Sequence, residues 1–359
     1  MIAFGDVYRN RRVLLTGHTG FKGSWLALWL KTLGAQTTGL SLASNSSPSH
    51  WELLDLDMDD KRIDIRDAAE VRDAIQAAAP EIVFHLAAQS LVRRSYCEPL
   101  ETWSTNVMGT LNVLEACRLQ PSVRAIVVVT TDKCYENREW DWGYRENDRL
   151  GGHDPYSASK AGAELVVFSY RSSFFGQSDA PLLATARAGN VIGGGDWSED
   201  RLIPDVVRAY VARKTIEVRS PNATRPWQHV LESLSGYLYL GKKLIEGKQE
   251  FAQAWNFGPD AEGNCTVAEV LARLKPALPF WDWRVTDRPQ QHETKLLYLD
   301  SSKARQRLGW RPVWSLDESL SSTADWYRAQ VEHKSVISQH QLQTYVFAAK
   351  QAGLEWCSE

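Results

Sequence analysis

The sequence has no CxxC pair, no HExxH and no apolar run near the roughly 20 residues that span a bilayer. Its five cysteines (Cys97, Cys117, Cys134, Cys265, Cys357) are odd in number and scattered. That argues against a disulfide frame and predicts free thiols in a reducing, cytoplasmic setting. The eight histidines show no close pairing, so no metal is expected. Charge of one sign is also missing. Against 44 Asp and Glu stand 41 Lys and Arg, a net charge of −3 and a pI near 6.3, which gives no case for nucleic acid or an anionic membrane as partner. The first residues lack the pattern of a signal peptide, and no internal repeat or low-complexity segment appears. Tryptophan is abundant at 15 residues and is expected mostly in packing. At 359 residues the chain exceeds one average domain, so two lobes and a large core are expected.

The stretch from Val13 to Gly23 organises the rest. An apolar run, Val13–Thr16, reads as a buried strand. It passes through Gly17, Gly20 and Gly23 into a helix from Ser24 to about Leu33, stopped by Gly34. Glycines at this spacing let the backbone turn tightly and approach a pyrophosphate. The helix start adds free N–H donors and positive dipole charge. An ordinary strand-to-helix turn looks the same in isolation. Its place between a strand and a helix near the N-terminus favours a nucleotide.

Strands and helices alternate through the first half. Strands are expected at Thr37–Leu42, Arg62–Ile65, Ile82–Leu86, Ala125–Thr130 and Leu182–Ala186. Helices are expected at Ala68–Ala79, Glu101–Leu119 and Asp154–Phe175. Such a series predicts an α/β fold, a doubly wound Rossmann-type parallel sheet, with a smaller mixed substrate-binding lobe. Residues 1–187 would form the dinucleotide domain, with the chain returning to it around 228–258. Residues 188–227 and 259–345 would form the second lobe, and 346–359 a tail, the chain from Val331 onward being helical or partly ordered. In the second half, helices are expected at Leu202–Arg213 and Leu234–Leu244 and a strand at Ala254–Phe257. Ligands of such sheets sit at the carboxyl ends of the strands. The polar clusters Gly17–Gly23, Asp64–Ile65, Ala87–Gln89 and Thr130–Lys133 all fall there.

Tyr156 and Lys160 lie four residues apart, one helical turn, so phenol and ammonium share a face. A neighbouring cation favours the phenolate and makes Tyr156 a candidate base toward a sugar hydroxyl. By chance YxxxK is common; together with the glycine turn it gains meaning.

With these residues in view, Thr16–Gly23, His85–Ala88 and Tyr156–Lys160 resemble the fingerprints of the extended short-chain dehydrogenase/reductase family. Long blocks are similar to its sugar-nucleotide dehydratases, in particular those acting on CDP-glucose. They include HLAAQSLVRRSY from His85, TTDKCYENREWDWGYREN from Thr130, RAGNVIGGGDW from Arg187 and RPWQHVLE from Arg225. The match extends to about Asp325. The resemblance implies NAD as cofactor, CDP-glucose as substrate and no net redox change. C4 would be oxidised, water lost across C5–C6, and the hydride returned to C6. It implies catalytic roles for Thr131, Asp132, Lys133, Tyr156 and Lys160, with Thr131 assisting Tyr156 and Asp132 protonating the leaving hydroxyl; the bland alternative for Asp132 is a turn cap. The cofactor would meet Gly17, His18, Gly20, Phe21, Lys22, Gly23, Ser41, Asp64, Ile65, Leu86, Ala87, Ala88, Thr105 and Thr130, besides Tyr156 and Lys160. The sugar nucleotide would meet Gln89, Arg94, Asn190, Arg201, Leu202, Ile203, Pro204, Arg219, Arg225 and Glu293, the arginines suiting a diphosphate.

Two departures stand out. The second strand ends Leu40–Ser41–Leu42, without the carboxylate usual for NAD, and Lys22 sits in the glycine loop. Both leave NADP open. The related dTDP-glucose enzymes carry Thr–Asp–Glu where this chain reads Thr131–Asp132–Lys133, which makes Lys133 either the C5 base or a cation stabilising the enolate. Rival readings are a sugar-nucleotide 4-epimerase, which needs no acid–base pair at 132–133, and a non-catalytic dinucleotide-binding regulator. Stripes at Val107, Leu111 and Leu114 and at Leu165 and Phe168 suit a homodimer or homotetramer, or equally packing on the sheet.

Overall fold

The computed structural model describes residues 3–177, 180–286 and 296–358. Seven strands form a parallel sheet: β1 Arg12–Thr16, β2 Gln36–Ser41, β3 Asp59–Arg62, β4 Ile82–His85, β5 Ala125–Val129, β6 Leu182–Ala188 and β7 Ala254–Phe257. Their order across the sheet is β7-β6-β5-β4-β1-β2-β3. Adjacent residues of each strand face opposite sides. Val13, Leu15, Ile82, Phe84, Val127 and Val129 therefore enter one core, and Leu14, Val83, Ile126 and Val128 the other. A strand buried on both faces must be apolar throughout, as β5 is (AIVVV).

The helices that pack the sheet and frame the site are α1 Phe21–Thr32, α2 Ala68–Ala78, α3 Gly109–Arg118, α4 Pro155–Ser173, α5 Leu202–Ala212, α6 Val230–Ile245, α7 Leu316–His333, α8 Ser338–Gln351 and α9 Glu355–Ser358; shorter helices lie at His50–Leu54, Val92–Cys97, Pro99–Trp103 and Val267–Leu274. On one face lie α2, α3 and α4; on the other, α1 and α6 with the C-terminal helices. Three short strand pairs complete the second half: Thr215–Val218 with Asp282–Val285, Thr224–Pro226 with Asn264–Thr266, and Val191–Ile192 with Gln228–His229. Among the described residues, no helix is long and apolar enough to cross a membrane.

Several boundaries differ from expectation. The third strand lies earlier than Arg62–Ile65, at the charged and exposed Asp59–Arg62. Charge on an edge strand discourages pairing with another chain, while Ile65 leaves the sheet to pack under Gly109. Helix α1 begins at Phe21, because Gly20 is already its extended N-cap. The helix expected over Glu101–Leu119 opens into a wide turn at Ser104–Met108 before α3. A side chain on Gly109 would come within 2.5 Å of Ile65, so the close approach there requires glycine. Helix α6 starts four residues before Leu234, with His229 Nδ1 accepting from Leu231 N at 3.3 Å.

The C-terminal stretch is not a tail. Trp356 is fully buried, its ring stacked on Phe4 at 5.0 Å and on Tyr345 at 6.2 Å. Its aromatic character drives it into the core.

Candidate active site

After β1 the chain moves toward β2 and β3, and then back to β4 on the other side of β1. The crevice where the order reverses lies at the carboxyl ends of β1 and β4. Gly17, with φ +76°, turns the chain there; a side chain on it would strike Ala87 N at 2.7 Å. A side chain on Gly23 would lie 2.0 Å from Gly17 O. Thr16 Oγ1 accepts from Leu86 N and Ala87 N, both at 3.1 Å, and so locks the second wall to the first. No side chain caps the start of α1. Its free N–H groups and the side-chain-free cradle fit a dinucleotide pyrophosphate.

The remaining cofactor candidates divide. Leu86, Ala87 and Ala88 follow β4, and Asp64 and Ile65 follow β3. Asp64 is held by Arg66 (2.5 Å), which keeps its carboxyl below the usual range. Thr105 lies half-buried in the wide turn, where Asn106 bridges Gln89 N (2.9 Å) and Ser159 Oγ (2.9 Å). Ser41 Oγ meets Thr19 Oγ1 at 2.7 Å, and no carboxylate closes β2. Two side chains run against expectation. His18 turns over Gly39 to bond Asp60 at 2.9 Å, away from the turn. Lys22 does not face the β2 end. It reaches Tyr237 Oη at 3.3 Å, and burial, with Arg201 next, lowers its pKa to about 7.

The chemistry gathers where β5 ends. Asp154 caps α4 by accepting from Ser157 N (2.9 Å), which fixes Tyr156 and Lys160 on the first turns. Tyr156 is 8% exposed and Lys160 7%. Burial pushes the Tyr156 phenol up to about 12, against a hydrogen bond with Thr131 and the charge of Arg201. Desolvation thus outweighs the cationic lowering expected of it, and the charge of Arg201 is the leading cationic influence against the rise. Burial lowers Lys160 to about 8, opposed by Glu164, while its Nζ donates to Val129 O at 3.3 Å. Thr131 Oγ1 donates to Asp132 Oδ1 at 2.9 Å; a single hydroxyl proton therefore serves either Asp132 or the Tyr156 oxygen. Asp132 is fully buried, and its Oδ2 has no partner among the described residues. Lys133 Nζ lies 3.6 Å from Asp132 Oδ1 and 3.5 Å from Asn190 Oδ1.

The substrate candidates are less united. Arg201, at the start of α5, lies between Asp196 (3.3 Å) and Ser90 (3.3 Å) and acts on Tyr156. Leu202, Ile203 and Pro204 open α5, the last two buried. Arg219 approaches Asp200 at 3.7 Å, and Arg225 is buried with Nη1 on Thr224 O at 2.8 Å. Gln89 and Arg94 are engaged within the chain. The Gln89 amide is taken up inside its own loop and by Thr102, and Arg94 is held by Glu98 and Glu101. Glu293 lies outside the described residues.

Comparison with known proteins settles the family. The sequence matches the model of the family described as GDP-mannose 4,6 dehydratase over residues 14–244, more than half of the chain. The chain belongs to the GDP-mannose 4,6 dehydratase family. It is 45% identical to the CDP-glucose 4,6-dehydratase of Salmonella typhimurium over 96% of this chain and 98% of that protein. With the dTDP-glucose 4,6-dehydratase of Xanthomonas campestris it shares 28% over 88% of this chain and 92% of that one. The crystal structure of a dTDP-glucose 4,6-dehydratase from Streptomyces venezuelae with NAD bound superposes with a TM-score of 0.75 at 25% identity, over 89% of this chain and 98% of that one. The span matched to the GDP-mannose 4,6 dehydratase family, from β1 to α6, contains the glycine turn and the whole cluster at β5.

Within that span sequence reasoning missed a buried pair, Glu164 and Arg187. Two signals were available: Glu164 repeats the four-residue step from Lys160, and Arg187 is a charge inside an otherwise small and apolar strand.

Proposed function

We propose that the chain is an NAD-dependent sugar-nucleotide 4,6-dehydratase that converts CDP-glucose to CDP-4-dehydro-6-deoxyglucose and water. One observation carries the reading: Asp132 is fully buried, with Lys133 Nζ 3.6 Å from its Oδ1, and its Oδ2 has no hydrogen-bond partner among the described residues. A 4-epimerase has no use for this second acid–base pair. The 45% identity to the Salmonella enzyme supports cytidine as the base of the nucleotide.

The cradle formed by Gly17, Gly23 and the start of α1 would hold the pyrophosphate of NAD, with Ser41 toward its adenosine end. When bound, NAD supplies the hydride acceptor for C4 and later the donor to C6. Tyr156 takes the proton from the C4 hydroxyl. To act as this base the phenol must first give up its own proton to solvent; burial opposes that loss, and the hydrogen bond with Thr131 and the charge of Arg201 lower its cost. Lys160, with a pKa of about 8, is still mostly charged at pH 7 and favours that anion. Once C4 is a ketone, the C5 proton is acidic. Lys133 removes it, or as a cation stabilises the enolate. Asp132 protonates the departing C6 hydroxyl, which leaves as water. Asn190 holds Lys133, and Arg201, Arg219 and Arg225 would meet the diphosphate through their forked donors.

Leu165 and Phe168 are each 59% exposed, with Trp103 and Met108 beside the same helices, which supports pairing of two copies as a homodimer or within a homotetramer. Among the described cysteines, each is free, and four are buried, which suits a reducing cytoplasm.

The test is incubation with CDP-, dTDP-, UDP- and GDP-glucose, followed by detection of a 4-keto product. CDP-glucose should react, with loss of water; return of a hexose without water loss would point to the epimerase. Lys133→Met should still reduce bound NAD but fail to exchange the C5 proton with deuterium. Tyr156→Phe should lose about 10²–10⁴-fold at the first step.

A further inference from the structure

Behind the site, Glu164 and Arg187 form a two-pronged ion pair, with Nε to Oε1 at 2.9 Å and Nη2 to Oε2 at 2.8 Å. Their side chains are 3% and 4% exposed. Glu164 also accepts from Thr130 Oγ1 at 2.5 Å and Thr185 Oγ1 at 3.0 Å. Arg187 continues to Tyr135 Oη at 2.8 Å and Glu146 O at 3.1 Å, and Tyr135 donates to Asn256 Oδ1 at 2.7 Å. No step of the proposed reaction uses either charge. Stability does not explain them, because an apolar pair of similar volume is often as stable as a buried ion pair.

What distinguishes the pair is where its bonds end. Glu164 lies one turn beyond Lys160 on α4. Thr130 is the residue immediately before Thr131, Asp132 and Lys133. Arg187 and Thr185 lie on β6, which runs directly into Asn190, the partner of Lys133. Tyr135 closes the same loop from the other end. Each segment that carries a residue of the reaction is therefore tied to one carboxylate or one guanidinium.

We propose that Glu164 and Arg187 are positioning residues, which lock the Thr130–Lys133 segment to the helix of Tyr156 and supply the countercharge of Lys160. The inference rests on the reading of Tyr156 and Lys160 as members of the reaction centre. Among the described residues Lys160 donates to one neutral acceptor, Val129 O. The ionisable groups whose charges interact with it are Glu164 and Cys134 on the favourable side and Lys22 and His85 on the unfavourable side. Cys134 is buried, and burial pushes its thiol well above the usual range, a direction that keeps it neutral. Glu164 is then the anion that keeps Lys160 protonated near neutral pH. Removing an anion beside a buried lysine lowers its pKa further, so the alkaline limb of the rate profile must move toward acid.

Glu164→Gln alone strands Arg187 as a buried, unpaired charge and should fold poorly. The double variant Glu164→Gln/Arg187→Met removes both charges and should fold. In it the alkaline limb of C4 oxidation, followed by nicotinamide absorbance, should move about one pH unit toward acid. A second variant, Thr130→Val, cuts the tie to the reacting segment and leaves the ion pair intact. Its kcat should fall about 10-fold with the sugar KM unchanged, as expected from a small misplacement of catalytic groups. A wild-type alkaline limb in the folded double variant overturns the countercharge, and a wild-type kcat in Thr130→Val overturns the lock. Should the double variant not fold, Thr130→Val decides alone. If Tyr156→Phe abolishes turnover while both variants behave as wild type, this proposal falls and the reading of the site stands; if Tyr156→Phe retains turnover, the reading itself falls.

Discussion

The two faces of the sheet are built from different chemistry. The face under α2, α3 and α4 is aliphatic, with Leu14, Val83, Ile75, Val113, Ile126 and Leu183 at its centre. The face under α1 and α6 is aromatic. Trp25, Trp29, Trp255, Trp310, Trp326 and Trp356 are all there, and none of the largest fully buried side chains belongs to the aliphatic core. The reason is geometric. Aliphatic residues fill the narrow gap between a sheet and helices that follow its strands. The aromatic face must also take in α7, α8 and α9 and the first residues of the chain, and wide rings bridge those larger gaps. The aromatic face also buries polar groups. His50 sits between Ser24 (2.7 Å) and Ser338 (2.8 Å), and Glu232 accepts from Val313 N, Trp314 N and Tyr345 Oη. Folding of the first 260 residues around the sheet therefore depends on segments that arrive last.

The largest effect should come from removing those segments. A chain ending at Ile337 lacks α8 and α9 and exposes Phe4, Trp29 and Trp314, which pack against Tyr345 and Trp356. It should not yield soluble folded protein. The single change Trp356→Ala should cost about 3–5 kcal/mol, whereas Ile75→Val on the aliphatic face should cost about 1 kcal/mol. Urea unfolding followed by circular dichroism measures both. Equal midpoints for the two variants would show that the C-terminal helices cover the aromatic face without holding it.

Acid should break the comparison next. Burial lowers His50 and His229 on the aromatic face, and His85 on the other, to about 3. Unfolded, each takes up a proton near pH 6.5, so their stabilisation is present above that pH and lost as pH falls. Glu232 has the opposite sign. Burial raises it to about 7, so its contribution is present below the free glutamate value and lost as pH rises toward 7. Between about pH 4.5 and 6 three histidines oppose one glutamate, a net uptake of about two protons on unfolding and roughly 2–3 kcal/mol lost per pH unit. Glu232→Gln should steepen that slope by about one proton. A slope unchanged by the substitution would mean that Glu232 is charged in the folded protein.

The same contrast explains what was legible in the sequence. The aliphatic face belongs to a regular series of strands and helices, and alternation along β1, β4 and β5 announces it. The glycine turn and the Tyr156–Lys160 step could be found because their chemistry depends on local spacing. Thr131, Asp132 and Lys133 came through resemblance, and the structure brings them to the same strand end. The direction of Lys22 was not legible, since only the fold places Tyr237 of α6 beside it. The Glu164–Arg187 pair was hidden because its members are 23 residues apart and meet across a helix and a strand. The aromatic face was hidden for the same reason. Trp356 reads as a tail residue until Phe4, some 350 positions away, stacks on it.

The smallest effect on the stability of one chain, and the sharpest on assembly, should come from the outer surface of the aliphatic side. Leu114 is fully buried toward the sheet, whereas Leu165 and Phe168 on α4 are exposed, with Leu100 and Trp103 nearby. On the aromatic side α7, α8 and α9 cover the core, and Phe347 on the outer surface of α8 is 64% exposed. A single chain gains little from Phe168, which is 59% exposed, so Phe168→Glu should change its own unfolding free energy by no more than about 0.5 kcal/mol. In a two-fold assembly the same residue meets its own copy or a neighbour of it, so the substitution places two carboxylates in a single apolar contact. Sedimentation should then show the variant as a monomer at concentrations where the parent is a dimer or larger. The unfolding midpoint of the parent, and not of the variant, should rise with protein concentration. A variant that sediments as the parent does would move the interface away from α4 and leave the exposed Leu165 and Phe168 without a partner copy.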